Sequence, residues 1–290
     1  MRNIPTLSIC VLLLFCFVLI TQIQALGEPN NKNILYVGGQ GTGNYTTIQD
    51  AINSANTSDT IYIFNGTYHE NIIINKSITL LGENKNNTII DGSGFEEIIN
   101  ITTDNVKINN LTIKNGVYGI KLYKANNSTI KNNIITNNLE GICFYSSNKN
   151  TITENNITSN MYYGISIYSF GNKNLSSNNN YIYHNNFINN TVYDACANIW
   201  DNGSIYGGNY WYNYNGTDKN NDGFGDTPYN ILGGENKDNY PLMKPYISEN
   251  YEFTVNEESL YFMLLVSMIV AILFLLPIAY IWYKKQHKTK

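Results

Sequence analysis

Between Ile61 and Ile205 short apolar stretches alternate with polar corners. Alternation at a period of two marks strands, and three such stretches recur in each repeat. Asn109–Asn110, Asn132–Asn133 and Asn155–Asn156 are spaced by 23, and Asn185–Asn186 follows after 30, with Gly171 to Asn180 as an insertion. Gly119, Gly141 and Gly164 recur at 22 and 23. A fixed period in this range marks a repeat architecture. Three short strands per period with Asn/Gly corners, and no helix in the unit, predict an all-β fold: a single-stranded right-handed parallel β-helix.

Three inward columns are expected. The first runs Ile61/Ile63, Ile89/Ile90, Leu111/Ile113, Ile134, Ile157, Phe187. The second runs Ile72/Ile74, Ile99/Ile101, Ile120/Leu122, Ile142/Phe144, Ile165/Ile167, Ala195/Ala197. The third runs Ile78/Leu80, Val106/Ile108, Ile130, Ile152, Ile182, Ile205. This register turns Lys121, Cys143, Ser166 and Cys196 outward, with the two cysteines two coils, roughly 10 Å, apart. That is beyond disulfide reach, so both are expected free.

The raw ends of such a stack need covers. Thr46 to Ala55 carries a helical stripe at Ile48, Ala51, Ile52 and Ala55, with Thr46 and Gln49 as a capping box, and predicts an N-terminal helical cap. Tyr206 to Tyr246 is expected to close the far end.

Two further apolar segments set the address. Met1–Arg2–Asn3, the run Leu7 to Ile20 and Ala25 read as a signal peptide, residues 1–25. Residues 259–283 carry no charge and predict one C-terminal transmembrane helix. The lysine-rich tail 284–290 is then cytoplasmic and the β-helix, 34–246, extracellular on a stalk, 247–258.

The chain of 290 residues holds 50 Asn and 39 Ile, which suits strands joined by amide turns and excludes disorder. The only arginine is Arg2, and between Glu28 and Glu258 all 22 acids face 13 lysines, a net of −9. Such a body argues against nucleic-acid binding and against bidentate capture of anions.

Candidate chemistry is sparse. Asp218, Asn220, Asp222 and Asp226 offer side-chain oxygens at positions 1, 3, 5 and 9 of a loop, with Gly223 at 6 and the Phe224 carbonyl at 7, which predicts calcium. Asp194 with Asp201, and Glu140 with Glu154, are the carboxyl pairs a glycoside hydrolase would use. Tyr206, Tyr210, Trp211, Tyr212 and Tyr214 form a dense ring cluster suited either to stacking on sugar faces or to capping the core. Sequons such as Asn65–Gly66–Thr67, Asn100–Ile101–Thr102, Asn156–Ile157–Thr158 and Asn215–Gly216–Thr217 could carry glycans in a secreted chain.

Residues Asn44 to Ile52, Asp59 to Ile63, Gly66–Thr67–Tyr68 and Lys76 to Glu83 resemble the first coil of pectin-lyase-like β-helices. The Asn/Gly coils, with Gly208–Asn209–Tyr210–Trp211, Asp226–Thr227–Pro228–Tyr229 and Asp238–Asn239–Tyr240–Pro241–Leu242, resemble the NosD family over Ile34 to Tyr246. That resemblance implies a periplasmic copper-binding protein of nitrous oxide reductase maturation, or an archaeal-type surface protein. Copper would have only His69, His184 and His287, with Met161 and Met243, to draw on. Lyases of the fold use a basic proton abstractor, and the body has no arginine. The first expectation is a membrane-anchored, non-catalytic extracellular protein for surface structure, adhesion or carbohydrate binding, with a cell-surface glycan or surface-layer protein as partner. A polysaccharide hydrolase or lyase and a copper accessory protein are the alternatives.

Overall fold

The computed structural model describes residues 33–94, 96–169 and 175–247. The expected leader 1–25, and the stalk beyond residue 247, the span 259–283 and the tail 284–290, lie outside the described residues. Among the described residues no helix is long and apolar enough to cross a membrane.

The body is a parallel β-solenoid. The first sheet stacks seven strands from Ile34–Val37 to Tyr181–Tyr183, and the second seven from Gly66–Tyr68 to Tyr210–Trp211. The third stacks six, from Ile72–Ile74 to Val192–Asp194. Each strand pairs in parallel with its counterparts on adjacent coils rather than with its sequence neighbours. Ile fills the interior because a β-branched side chain loses little freedom on a pleated strand.

The spacing is 22 residues through most of the Asn-rich coils and 23 where Glu140 pairs with Tyr163 and Ile89 with Thr112. Thr112 pairs with Ile134 and Ile134 with Asn156, while Asn110 bonds Asn132 and Asn133 bonds Asn155. The Asn doublets are one step out of phase with one another. A slip of one residue turns a strand over. Ile135, not Ile134, therefore faces the core, in line with Ile90, Ile113, Ile157 and Phe187. Ile61 and Ile63 belong to the first sheet, stacked on Leu80 and Gly82, rather than at the head of the Ile90 column. The expected Ala195/Ala197 rung is Val192/Asp194. Ile205 is 79% exposed on a short helix, and Trp200 fills the place it was assigned.

Corners turn through left-handed backbone at Asn110, Asn132, Glu154 and His184 after the first sheet, and at Asn115, Asn137, Ser159 and Asn189 after the second. Asn tolerates this region better than other non-glycine residues. The next residue inward starts a ladder. Asn133, Asn155, Asn185 and Asn209 are fully buried, and each Oδ1 accepts the backbone N–H of the coil before it at 2.9 to 3.1 Å. Their Nδ2 groups donate to carbonyls of the preceding coil and to the next Oδ1. Asn138, Asn160 and Asn190 build a second ladder, and Ser128, Asn150, Asn180 and Asn198 a third. Beside the second ladder there is no room for a side chain: a Cβ on Gly141 would lie 2.5 Å from the Gly164 carbonyl oxygen.

These ladders have a direction, since each rung accepts from one neighbour and donates to the other. A carboxylate only accepts, so it can end a ladder but not continue it. Asp238 ends the first, accepting the Asn209 N–H at 2.7 Å; in the third, Asn198 donates its backbone N–H to Asn236 and its Nδ2 to Asp194.

The N-terminal cap is the helix Ile48–Ser54, one residue later than the sequence box suggests. Its N-cap is Thr47, whose Oγ1 accepts the Asp50 N–H, so Thr47 and Asp50 replace Thr46 and Gln49. The strand Ile72–Ile74 is flanked by charges that hold this helix at both ends. Glu70 accepts the N–H groups of Ile48 and Gln49, and Lys76 donates to the carbonyls of Ile52, Asn53 and Ala55. Acid at the start and base at the end both oppose the helix dipole favourably. At the far end Trp211 stacks between Phe187 and Tyr229, at 4.4 and 4.1 Å between ring centroids.

Candidate functional site

The third sheet presents an outer face unlike the other two. One outer column reads Glu97, Tyr118, Glu140, Tyr163 on successive coils, and the next reads Ile73, Asn100, Lys121, Cys143, Ser166, Tyr193. A third holds Tyr123 and Tyr145, and Tyr168 follows the neighbouring strand. Lys121 pairs with Glu97 at 2.5 Å and lies 5.6 and 5.4 Å from the ring centres of Tyr118 and Tyr145. Salt-bridge donation by Lys121 holds the Glu97 carboxyl below the usual carboxylate range. Glu140 accepts from the Ser166 hydroxyl and, at 3.1 Å, from the Tyr168 phenol. The Tyr193 ring lies 5.7 Å from Tyr163 and 5.4 Å from Tyr168.

Burial, with Glu140 adding to it, keeps the Tyr168 phenol protonated well above its usual value, and burial does the same for Tyr145. Beneath the rings Cys143 and Ser166 are closed off. Burial pushes the Cys143 thiol up to about 12, so it is a packed thiol and not a nucleophile. The face offers ring surfaces, hydroxyl donors and carboxylate acceptors along an extended strip.

The structure separates the carboxyl pairs read from the sequence. Glu140 belongs to this face, whereas Glu154 sits at a left-handed corner after the first sheet and pairs with Lys131 at 3.0 Å. Asp194 is fully buried among the Trp200 indole, the Cys196 N–H and Asn198. Asp201 accepts from the backbone of Gly203 and Asn239. Asp194 therefore braces Asn198 in the third ladder, and Asp201 ties two loops of the terminal segment. Cys196 leaves the outer column, where Tyr193 stands instead; both cysteines are free nonetheless.

The ring cluster also divides. Trp211 is 2% exposed and belongs to the core, and the Tyr214 hydroxyl donates to the Thr227 carbonyl at 2.7 Å. Tyr210 is half-buried on the last strand of the second sheet. Tyr206 and Tyr212 remain open. Tyr212 lines a groove of about 260 Å³ with Tyr162, Met161 and Asn190. A groove of about 440 Å³ runs over Asp104, Asn126, Asn148 and Asn178, whose side-chain oxygens already accept backbone N–H groups of the next coil.

In the loop 218–226 the carboxylates are turned to the loop's own backbone. Asp218 accepts the N–H groups of Asp222 and Gly223, Asp222 that of Phe224, and Asp226 that of Lys219. Among the described residues no three His, Cys, Asp or Glu side chains converge as a metal-binding group. His69 and His184 flank the first and sixth strands of the second sheet, five rungs or about 24 Å apart. His184 Nε2 lies 2.6 Å from the Tyr206 carbonyl oxygen, and its ring stacks on Tyr246. This donor set does not fit copper, which wants clustered imidazole or sulfur.

The sequence profile described as "Periplasmic copper-binding protein (NosD)" matches residues 23–216. The chain belongs to the NosD family. In addition, 72 residues are 38% identical to a probable pectinesterase/pectinesterase inhibitor 41 of Arabidopsis thaliana, over 21% of this chain and 13% of that protein. A second Arabidopsis protein, probable pectinesterase/pectinesterase inhibitor 6, is 32% identical over 31% of this chain and 16% of its own length. The chain thus spans less than a fifth of these relatives. Among solved structures, the alginate lyase of Paenibacillus sp. str. FPU-7 is similar at 21% identity and a TM-score of 0.41, over 49% of this chain and 53% of that one. Carrot pectin methylesterase is similar at 16% identity and 0.38, over 56% and 65%. ORF18 of Geobacillus virus E2 is similar at 21% identity and 0.47, over 73% and 45%.

Most of the outer face was not singled out in the sequence. The sequence marks Lys121, Cys143 and Ser166 as outward and Glu140 as a candidate acid, but gives no such mark to Glu97, Tyr118, Tyr145, Tyr163, Tyr168 or Tyr193. The available signal was their common phase with the glycines: Tyr118, Glu140 and Tyr163 each stand one residue before Gly119, Gly141 and Gly164.

Proposed function

We propose that this NosD-family protein is an extracytoplasmic right-handed β-helix that binds carbohydrate on the outer face of its third sheet, without catalysis, in surface structure or adhesion. The observation that carries this is the strip of Tyr118, Tyr145, Tyr163, Tyr168 and Tyr193 set among Glu97, Glu140 and Lys121. The family's periplasmic description supports a place outside the cytoplasm. The uncharged stretch 259–283 supports a single membrane anchor, with a glycan or surface-layer protein as partner. The loop 218–226 stands as a calcium site on its spacing alone.

The test is binding of the full chain to a panel of immobilised polysaccharides. Retention on one or more of them, reduced by Tyr118→Ala and Tyr145→Ala in folded protein, is the expected result. Retention that is absent throughout, or unchanged in both variants, would end the reading. Copper titration of the same protein tests the accessory-protein alternative.

A hydrolytic reading rests on one observation. Glu97 and Glu140 share an outer column two coils apart, roughly 10 Å between backbones, so that the two carboxyls stand on one face as a hydrolytic pair requires. New reducing ends, lost in Glu140→Gln, would favour it over binding alone.

A further inference from the structure

The outer face of the third sheet is rich in acceptors and short of cations. Its outward strand residues include two carboxylates, Glu97 and Glu140, and one ammonium, Lys121, which is already spent on Glu97. Lys124 lies at the margin, 5.3 Å from the Tyr123 ring. No arginine stands anywhere in the body, and its net charge is −9.

The unmet polar groups have the same sign of need. Asn100 Oδ1, next to Lys121 in its column, is buried with no hydrogen-bond partner. A carboxylate has about four lone-pair sites, and Glu140 has accepted two donors, the hydroxyls of Ser166 and Tyr168. A ligand that fits can therefore donate to Glu140, beside tyrosine hydroxyls that both donate and accept. Neutral pyranoses present a hydroxyl donor at nearly every ring carbon and C–H faces for the tyrosine rings. Uronates replace a donor with a further carboxylate acceptor and add charge repulsion. Two acidic groups within a few ångströms at an interface disfavour binding, and the lysine inside the face, Lys121, is already paired with Glu97.

Resting on the carbohydrate-binding reading above, we infer that this face selects uncharged, hydroxyl-rich glycans and rejects polyuronates. Acceptor excess, rather than ring stacking, sets that choice, because stacking alone treats both classes alike.

The experiment compares the full chain, by calorimetric titration, with cellohexaose, mannohexaose and hexa-N-acetylchitohexaose on one side and hexagalacturonate and hexamannuronate on the other. The expected result is at least one neutral hexasaccharide bound about tenfold or more tightly than either uronate. Glu140→Gln keeps the shape but weakens the acceptor, and should lower neutral affinity by about tenfold. Should Glu140→Gln fail to fold, Tyr123→Ala, at an open position, should still lower neutral binding while leaving the uronates unbound. A uronate bound as tightly as the best neutral ligand would overturn the selectivity and leave the binding reading standing. No binding to any of the five would remove the binding reading itself, and the inference with it.

Discussion

The indole N–H of Trp211 donates to the Asp238 carboxylate at 2.8 Å, with both groups closed off from solvent. The same carboxylate accepts the backbone N–H groups of Asn209 and Tyr240. One acid thus joins the last rung of an amide ladder to the aromatic lid. Burial is the larger influence on it and, against these three donors, pushes its carboxyl up to about 7.

That shift makes stability depend on pH. In the unfolded chain Asp238 ionises near its ordinary value of 3.8, while in the folded chain it holds its proton to about 7. Between those values the unfolded state binds fewer protons, so stability falls as pH rises, and the loss is complete above about 7. The size is on the order of 4 kcal/mol. Burial raises the Asp194 carboxyl too, with the same sign. Thermal melts from pH 4 to 8 should therefore show a downward slope that Asp238→Asn makes shallower without abolishing it. An unchanged slope in the variant would refute the assignment.

The buried ladders carry more of the stability than the exposed amides. Asn155 bonds Asn133, Ile130, Thr153 and Asn185 at once. Asn155→Ala strands several of these buried groups and should cost on the order of 3 kcal/mol. Asn86→Ala, at an exposed corner, should change stability by about 0.5 kcal/mol or less. Urea unfolding of the two variants measures the contrast, and equal midpoints would deny the ladder its role.

Thiol reactivity separates the two cysteines. Cys143 is buried with a raised thiol, while Cys196 is half-buried with its Sγ 3.6 Å from the Tyr168 carbonyl oxygen. Iodoacetamide on native protein should label Cys196 first and leave Cys143 until unfolding. Peptide mass spectrometry showing a Cys143–Cys196 disulfide would contradict the register.

Calcium provides the fourth test. If the loop 218–226 holds the ion, calcium raises the melting temperature of the wild type, and Asp222→Ala removes that increment. Identical melts of the wild type with calcium and with chelator would discard the site.

The alternation of Ile with polar residues, the Asn corners and the recurring glycine were enough to establish three strands per coil, a parallel stack and a helical cap. Each of those is a local property: strand alternation, turn propensity and a helical stripe are written within a dozen residues. The phase of the stack was not. Asn109–Asn110 and Asn132–Asn133 look alike in the sequence, yet only Asn132 and Asn133 sit one coil below Glu154 and Asn155. Backbone pairing between coils decides which of two adjacent asparagines turns inward, and with it whether Ile134 or Ile135 is core.

The same holds for the site. That Asp194, Asp201, Glu140 and Glu154 are acids was visible, but their environments are set by residues far along the chain. Trp200 and Asn198 enclose Asp194, Lys131 takes Glu154, and Ser166 with Tyr168 holds Glu140 at the outer face. The sequence by itself determined the coil and its composition, including an acidic body without arginine. Only the tertiary structure decided which side chains meet, because a solenoid brings together residues about 22 positions apart, a spacing that no local periodicity encodes.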